Sequence, residues 1–275
     1  MYQQYHDISL RFPGFKTKAV TLSFDDGNSE DRQMVEILNQ YGLKCTFNVT
    51  AGRIAGRPYR VQFEEFADLY NGHEVACHGF THPFLHMLDA GGISYQLIKD
   101  REALEDVLQK PVQGFAYPYG VGTDTVLECL KSCGIRYART CNNTYRFSLP
   151  RNFLLWDPTC HQADPKLPEL AEKFFAPDDV EHPHRIKPQL FYIWGHSYEY
   201  ADNWTALENL CALIGGRKEV WYVTNGEIID YLSAFYALRR SANGRYIQNP
   251  TNLDVYVHVN DRDVVLKKGE ITVLE

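Results

Sequence analysis

Lys18-Ala19-Val20-Thr21-Leu22-Ser23-Phe24-Asp25-Asp26-Gly27 is the stretch that decides the fold. Seven strand-forming residues run into two acids and a glycine, the pattern of a buried strand stopped by a turn. Asn28 or Ser29 can cap the next segment, where Met34, Ile37, Leu38 and Tyr41 recur at helical spacing until Gly42 stops the helix. The next strand is Cys45-Thr46-Phe47-Asn48-Val49. Strand, helix, strand then repeats outward. Glu74 to Cys77 ends at His78, and a long helix carries Ile93, Leu97, Leu104 and Leu108 on one face. Gly114 to Tyr117 closes at Pro118-Tyr119-Gly120. Further strands are expected at 136–139, 153–156, 190–194 and 220–223. Such alternation implies parallel strands. The expected fold is α/β, a distorted (β/α) barrel of seven or eight units over residues 1–240. From residue 241 to 275 the pattern changes to short β-branched runs separated by turns, read as a small C-terminal antiparallel β appendage.

Composition bounds the function. The 275 residues are 44% hydrophobic and 23% charged, ordinary for a folded protein. The longest apolar run, Leu190 to Trp194, is far too short for a membrane span. A net charge of −7 argues against a nucleic-acid partner, because that affinity rests on Lys and Arg neutralising phosphates. Residues Met1 to His6 contain neither a basic start nor an apolar stretch, so a cytoplasmic location is expected, with secretion the alternative if a leader has been removed. Seven cysteines with no CxxC pair read as reduced thiols. The aromatic content of 13% is compatible with a carbohydrate-facing surface. The oligomeric state is left open.

In a parallel barrel the strand C-terminal ends share one face, where active sites are built. Asp25, Asp26, His78, His82, Tyr119, Asp157, His161 and His196 all come after strands and are expected there. His78-Gly79-Phe80-Thr81-His82-Pro83 spaces two imidazoles four apart. Gly79 intervenes and Pro83 biases His82 away from the α region, which predicts a loop wrapped toward one point. Two His and a carboxylate suit a divalent metal with positions left open for water and substrate. One acid of the Asp25-Asp26 pair can bind the cation while the other stays free as a base.

These motifs resemble the polysaccharide deacetylases of the NodB-homology group, carbohydrate esterase family 4. Thr21 to Gly27 and His78 to Pro83 match the group's first two motifs closely. Ala116-Tyr117-Pro118-Tyr119-Gly120 keeps the Pro-Tyr-Gly of the third, and Trp194-Gly195-His196 keeps the His of the fifth. The resemblance covers roughly residues 15 to 235. It implies Asp25 as general base and Asp26, His78 and His82 as ligands of a divalent metal. That metal is usually Zn2+, with Co2+, Ni2+ or Fe2+ as alternatives. It further implies that the Tyr119 N–H serves the oxyanion and that His196 is the general acid, tethered by an Asp for which Asp157 is the candidate. Trp156, His161 and Trp194 are expected to line the substrate pocket beside Tyr119.

Two departures stand out. Ala116 occupies the position where the third motif normally begins with Arg, so Arg139 or Arg151 substitutes or activity is altered. The fourth motif is also changed, with Pro158-Thr159-Cys160-His161 after Trp156-Asp157. The implied reaction is metal-dependent removal of N- or O-linked acetyl groups from a carbohydrate. The rivals are hydrolysis of non-sugar C–N bonds, such as small cyclic amides, and a catalytically silent carbohydrate-binding relative. His6, His73, His182, His184 and His258 are expected at the surface.

Overall fold

A computed structural model describes residues 8–178 and 186–274. His6, His182 and His184 lie outside the described residues. The chain opens with β1 (Ser9–Arg11), then β2 (Lys18–Asp26), α1 (Asp31–Gln40), β3 (Cys45–Val49), the short α2 (Phe66–Leu69) and β4 (Glu74–Cys77). The long α3 (Ala90–Leu108) leads to β5 (Gly114–Ala116), α4 (Asp124–Ser132), β6 (Tyr137–Arg139) and β7 (Cys160–His161). Then come α5 (Leu167–Phe175), β8 (Gln189–His196), α6 (Trp204–Ile214), β9 (Val220–Tyr222) and α7 (Asn225–Tyr236).

The strands pair in the order β6-β5-β4-β3-β2-β8-β7, all parallel. β8 lies along β2 from Lys18↔Gln189 to Asp25↔His196. The other edge of β2 is shared: β9 takes Lys18 to Val20 and β3 takes Leu22 to Asp26. The eighth strand is therefore present but does not extend the wall. The run at 153–156, expected as a strand, contributes a single bridge from Trp156 to Arg139, and the strand itself is Cys160–His161. The seam between β6 and β7 is thus crossed by irregular chain, which makes this a distorted (β/α) barrel.

Alternation along β2 divides the core. Val20, Leu22 and Phe24 face outward into the main apolar cluster with Met34 and Leu38 of α1 and Leu207 of α6. Thr21, Ser23 and Asp25 face inward, and the interior is polar. The N-terminus of α7 enters it, capped by Thr224 with Glu227 completing the capping box. Asn225 N–H donates to Thr46 Oγ1 (2.9 Å), Thr21 Oγ1 donates to Asn225 Oδ1 (2.8 Å), and Gly226 N–H donates to Glu74 Oε2 (2.7 Å). A carboxylate at a helix N-terminus meets both the free N–H groups and the positive end of the dipole. This satisfied layer forms the floor of the barrel.

The C-terminal residues form two antiparallel sheets, as the sequence predicts. β10 (Arg239–Arg240), β11 (Tyr246–Gln248) and β14 (Ile271–Val273) make one. β12 (Val255–Val259), β13 (Arg262–Leu266) and the N-terminal β1 make the other. Val255, Val257, Val259, Ile247, Leu266 and Leu274 bury their side chains together with Ile8 and Ala234 of α7. Tyr231 on α7 pins the two parts, donating to Arg11 O (2.7 Å) and accepting from Tyr256 N–H (2.9 Å). Among the described residues no helix is long and apolar enough to cross a membrane. All seven cysteines are free thiols, six of them buried.

Candidate active site

At the C-terminal ends of β2, β4, β6 and β8 the interior opens into a cluster of charged and imidazole groups. Asp25 is 2% exposed. Its Oδ2 accepts from Arg139 Nη2, and its Oδ1 accepts from Asn48 Nδ2 at 2.8 Å. His78 Nε2 lies 3.7 Å from Asp25 Oδ2. Burial alone would raise the Asp25 carboxyl. Arg139, His78 and His196 outweigh it and hold the group below its ordinary value. Asp25 is thus kept ionised in a buried position.

Arg139 stands where the altered third motif leaves a gap. Ala116 and Arg139 are paired across neighbouring strands β5 and β6, so the guanidinium enters the same interior space one strand over. Arg139 is fully buried and lies 4.7 Å over the Trp194 ring. Between the two candidates, Arg139 is the one that reaches Asp25.

Asp26, His78 and His82 each offer a ligand atom, and these atoms lie within 4.8 Å of one another. The local backbone explains the aim. Gly79 turns at φ +77° and His82 at φ +55°, with His82 N–H returning to Gly79 O (3.1 Å). Asp26 holds φ +84°, and Arg60 Nη1 donates to its carbonyl. Left-handed conformations cost roughly 1–3 kcal/mol each in a residue with a Cβ and cluster at functional sites. His78 Nδ1 donates to Ala116 O (2.8 Å), leaving the Nε2 lone pair toward the cluster. His82 Nδ1 is buried without a hydrogen-bond partner. Burial first, and His78 next, lower the His82 imidazole to about 4, so it stays neutral. A neutral, unpartnered imidazole beside a carboxylate and a second oriented His fits a divalent cation.

Tyr119 also adopts a left-handed backbone (φ +61°) at the turn after β5. The residue is 49% exposed, and its ring stacks on Phe84 with centroids 3.7 Å apart. Across the mouth, His196 ends β8. Its Nδ1 lies 2.7 Å from Glu199 Oε1, and its ring is 5.0 Å from exposed Tyr198. Burial lowers the His196 imidazole, but Glu199 together with Asp25 and Asp26 outweighs this and raises it above its ordinary value. His161 is 6.2 Å from His196 and 4.6 Å from Trp194, centroid to centroid. Trp194 donates through Nε1 to Asn143 Oδ1 (3.1 Å) and is partly buried.

Several expectations change. Asp157 does not reach His196. It accepts from Thr140 Oγ1 and from Asn142 Nδ2 (3.2 Å), and the acid beside His196 is Glu199. The turn after β8 brings Glu199 back over His196, and the His-x-x-Glu spacing was the available signal. Trp156 is no pocket wall. It is 2% exposed, edge-on to Tyr137 and Tyr192 in the core, so no ring face is left for a sugar. His73 and His258 are both 8% exposed rather than at the surface. His73 Nδ1 accepts from Cys45 N–H, and His258 pairs with Asp263.

Residues 13–138 match the family model described as polysaccharide deacetylase. The chain is 26% identical over 136 residues to a chitooligosaccharide deacetylase of Bradyrhizobium, covering 48% of this chain and 58% of that one. It is 29% identical over 119 residues to the peptidoglycan-N-acetylglucosamine deacetylase of Listeria monocytogenes, covering 42% and 25% respectively. It therefore spans less than two thirds of these curated relatives. A Mycobacterium smegmatis structure assigned as a polysaccharide deacetylase superposes with a TM-score of 0.61 at 18% identity, over 85% of this chain and 96% of that one. That superposition establishes the barrel. Over residues 13–138 the chain is similar to the polysaccharide deacetylases, the group its motifs resemble. The cytoplasmic expectation does not stand: the Listeria relative is named for peptidoglycan, a polymer that lies outside the cytoplasm.

Proposed function

We propose that this protein is a metal-dependent deacetylase acting on an N-acetylated sugar in a polysaccharide or oligosaccharide. One observation carries the reading: a buried Asp25, bonded to Arg139 and Asn48, sits beside, and outside, the Asp26–His78–His82 triad. A divalent cation held by that triad, Zn2+ first among the candidates, would polarise the acetyl carbonyl and lower the pKa of water. Asp25 accepts the proton of the attacking water. Arg139 and Asn48 hold the Asp25 carboxylate in place and ionised. The Tyr119 N–H faces the developing oxyanion, an interaction worth roughly 3–4 kcal/mol in other hydrolases. His196 protonates the departing amine. The Tyr119–Phe84 stack and Tyr198 offer exposed ring faces on either side of the mouth for neighbouring sugars.

Cyclic-amide hydrolysis drew its support from the missing Arg at position 116, and Arg139 supplies that charge. A silent carbohydrate-binding relative would have no use for an ionised base and an opposed His. The same proposal takes the barrel to about residue 240 as the catalytic unit and 241–275 as an accessory one, which β1 joins. The test is acetate release from acetylated chito-oligosaccharides by the zinc-loaded protein. Asp25→Asn is expected to abolish release while metal content stays at one equivalent. Release that survives this substitution would remove Asp25 as the base.

A further inference from the structure

Glu199 Oε1 is shared by two imidazoles. It lies 2.7 Å from His196 Nδ1 and 3.4 Å from His161 Nε2. The far side of His161 decides the proton positions. Ala163 N–H points to His161 Nδ1 at 3.2 Å, and an N–H needs a lone pair. Neutral His161 therefore carries its proton on Nε2, directed at Glu199. Glu199, in turn, accepts from both rings. Its carboxyl is raised by burial but held well below the usual range by the hydrogen bonds from His161, His196 and Gln162. Gln162 Nε2 also donates to His196 O at 2.9 Å, fixing the main chain beneath the ring.

His161, His196 and Glu199 bring their ligand atoms within 4.8 Å and so could be read as a second cation site. The proton count argues against it. A cation would need the His161 Nε2 lone pair while Nδ1 is already accepting, which would make the ring an anion. Hydrogen bonding accounts for all the facing atoms without one.

We propose that Glu199, braced by His161, is the positioning residue of His196: it keeps the proton on Nδ1 and turns Nε2 toward the leaving nitrogen. The inference rests on the reading of His196 as the acid. As the acetyl C–N bond breaks, the bonding pair stays on nitrogen and the His196 Nε2 proton passes to it. The Nδ1 proton remains on the bond to Glu199, and His196 leaves neutral.

The leaving group supplies the test. An amine must be protonated to depart, whereas a nitrophenolate departs without a proton. On the zinc-loaded full chain, Glu199→Ala is expected to lower kcat on N-acetylated chitopentaose about 30- to 100-fold with little change in KM. On 4-nitrophenyl acetate the same variant should stay within about threefold of the wild type. Glu199→Gln, which keeps one acceptor, should recover part of the loss, and His161→Asn should give a smaller loss of the same kind. Equal losses on both substrates, or no loss on either, would overturn the proposal. Imidazole 15N shifts give a readout that needs no substrate. Neutral His196 should carry its proton on Nδ1 in the wild type and lose that preference in Glu199→Ala. An Nε2-protonated His196 in the wild type would overturn the proposal whatever the activities. A wild type that releases no acetate yet shows the Nδ1 signature would instead sink the deacetylase reading and leave the positioning pair standing.

Discussion

On one side of the mouth Asp25, Arg139, His78 and Asn48 are almost wholly buried, with Arg139 and Asn48 both donating to Asp25. On the other, His161, His196 and Glu199 stand partly in water and meet through one carboxylate oxygen. The difference separates stability from chemistry. A buried ion pair cannot lose one member without stranding the other. A half-exposed hydrogen bond can be lost to water at small cost. The base side should therefore couple activity to folding, while the acid side should tune activity alone.

The largest effect is expected at Arg139. Arg139→Ala leaves a buried, uncompensated Asp25 and should cost about 3–5 kcal/mol of stability, read from urea unfolding. Deacetylation should fall with it. Adding Ala116→Arg returns a guanidinium from the adjacent strand and should recover activity at least in part. A single variant that unfolds within about 1 kcal/mol of the wild type would break the comparison. His82→Ala lies between the two sides. It removes a metal-facing ring whose buried Nδ1 has no protein partner. Metal occupancy after dialysis should collapse while the metal-free protein unfolds as before. Phe84→Ala removes one ring of the exposed stack and should raise KM by up to about tenfold with kcat unchanged. If kcat falls instead, Tyr119 depends on Phe84 for its backbone position.

A pH-dependent effect should appear away from the mouth. Burial pushes the Asp31 carboxyl up to about 7, with Tyr70 OH donating to Oδ2 (2.8 Å). Because the folded value lies above the unfolded one, the folded protein holds an extra proton between about pH 4 and pH 7. Stability from this group is present in full below that window and is lost as pH rises through it. Asp31→Asn should accordingly gain on the wild type as pH rises from about 5 to about 8, by on the order of 2–4 kcal/mol at most. A gap that stays constant with pH would show that Asp31 titrates normally.

What the sequence revealed was what its local order encodes. Phe24 to Gly27 and His78 to Pro83 carry both acids and both imidazoles in two short runs, each at a strand end. Arg139 is 114 residues from Asp25, and its partnership comes from the register that sets it beside Ala116; the sequence could name it only as one of two candidates. Glu199 sits three residues from His196, yet the altered fourth motif offered Asp157 as the more obvious tether. Trp156 looked like a wall because an aromatic at a strand end can face either way, and the irregular crossing of the seam turned it inward. β1 is three residues long and pairs with a strand near the other terminus, so no local pattern announced it.

The central claim is that Asp26, His78 and His82 hold one divalent cation next to an ionised Asp25. Anomalous diffraction at the zinc edge, from crystals grown with one equivalent of zinc, tests it most directly. The account predicts a single strong peak about 2.0–2.2 Å from His78 Nε2, a ring nitrogen of His82 and an Asp26 oxygen, with Asp25 outside bonding distance. A peak bound instead by His161, His196 and Glu199, or none between the three proposed ligands, would contradict it.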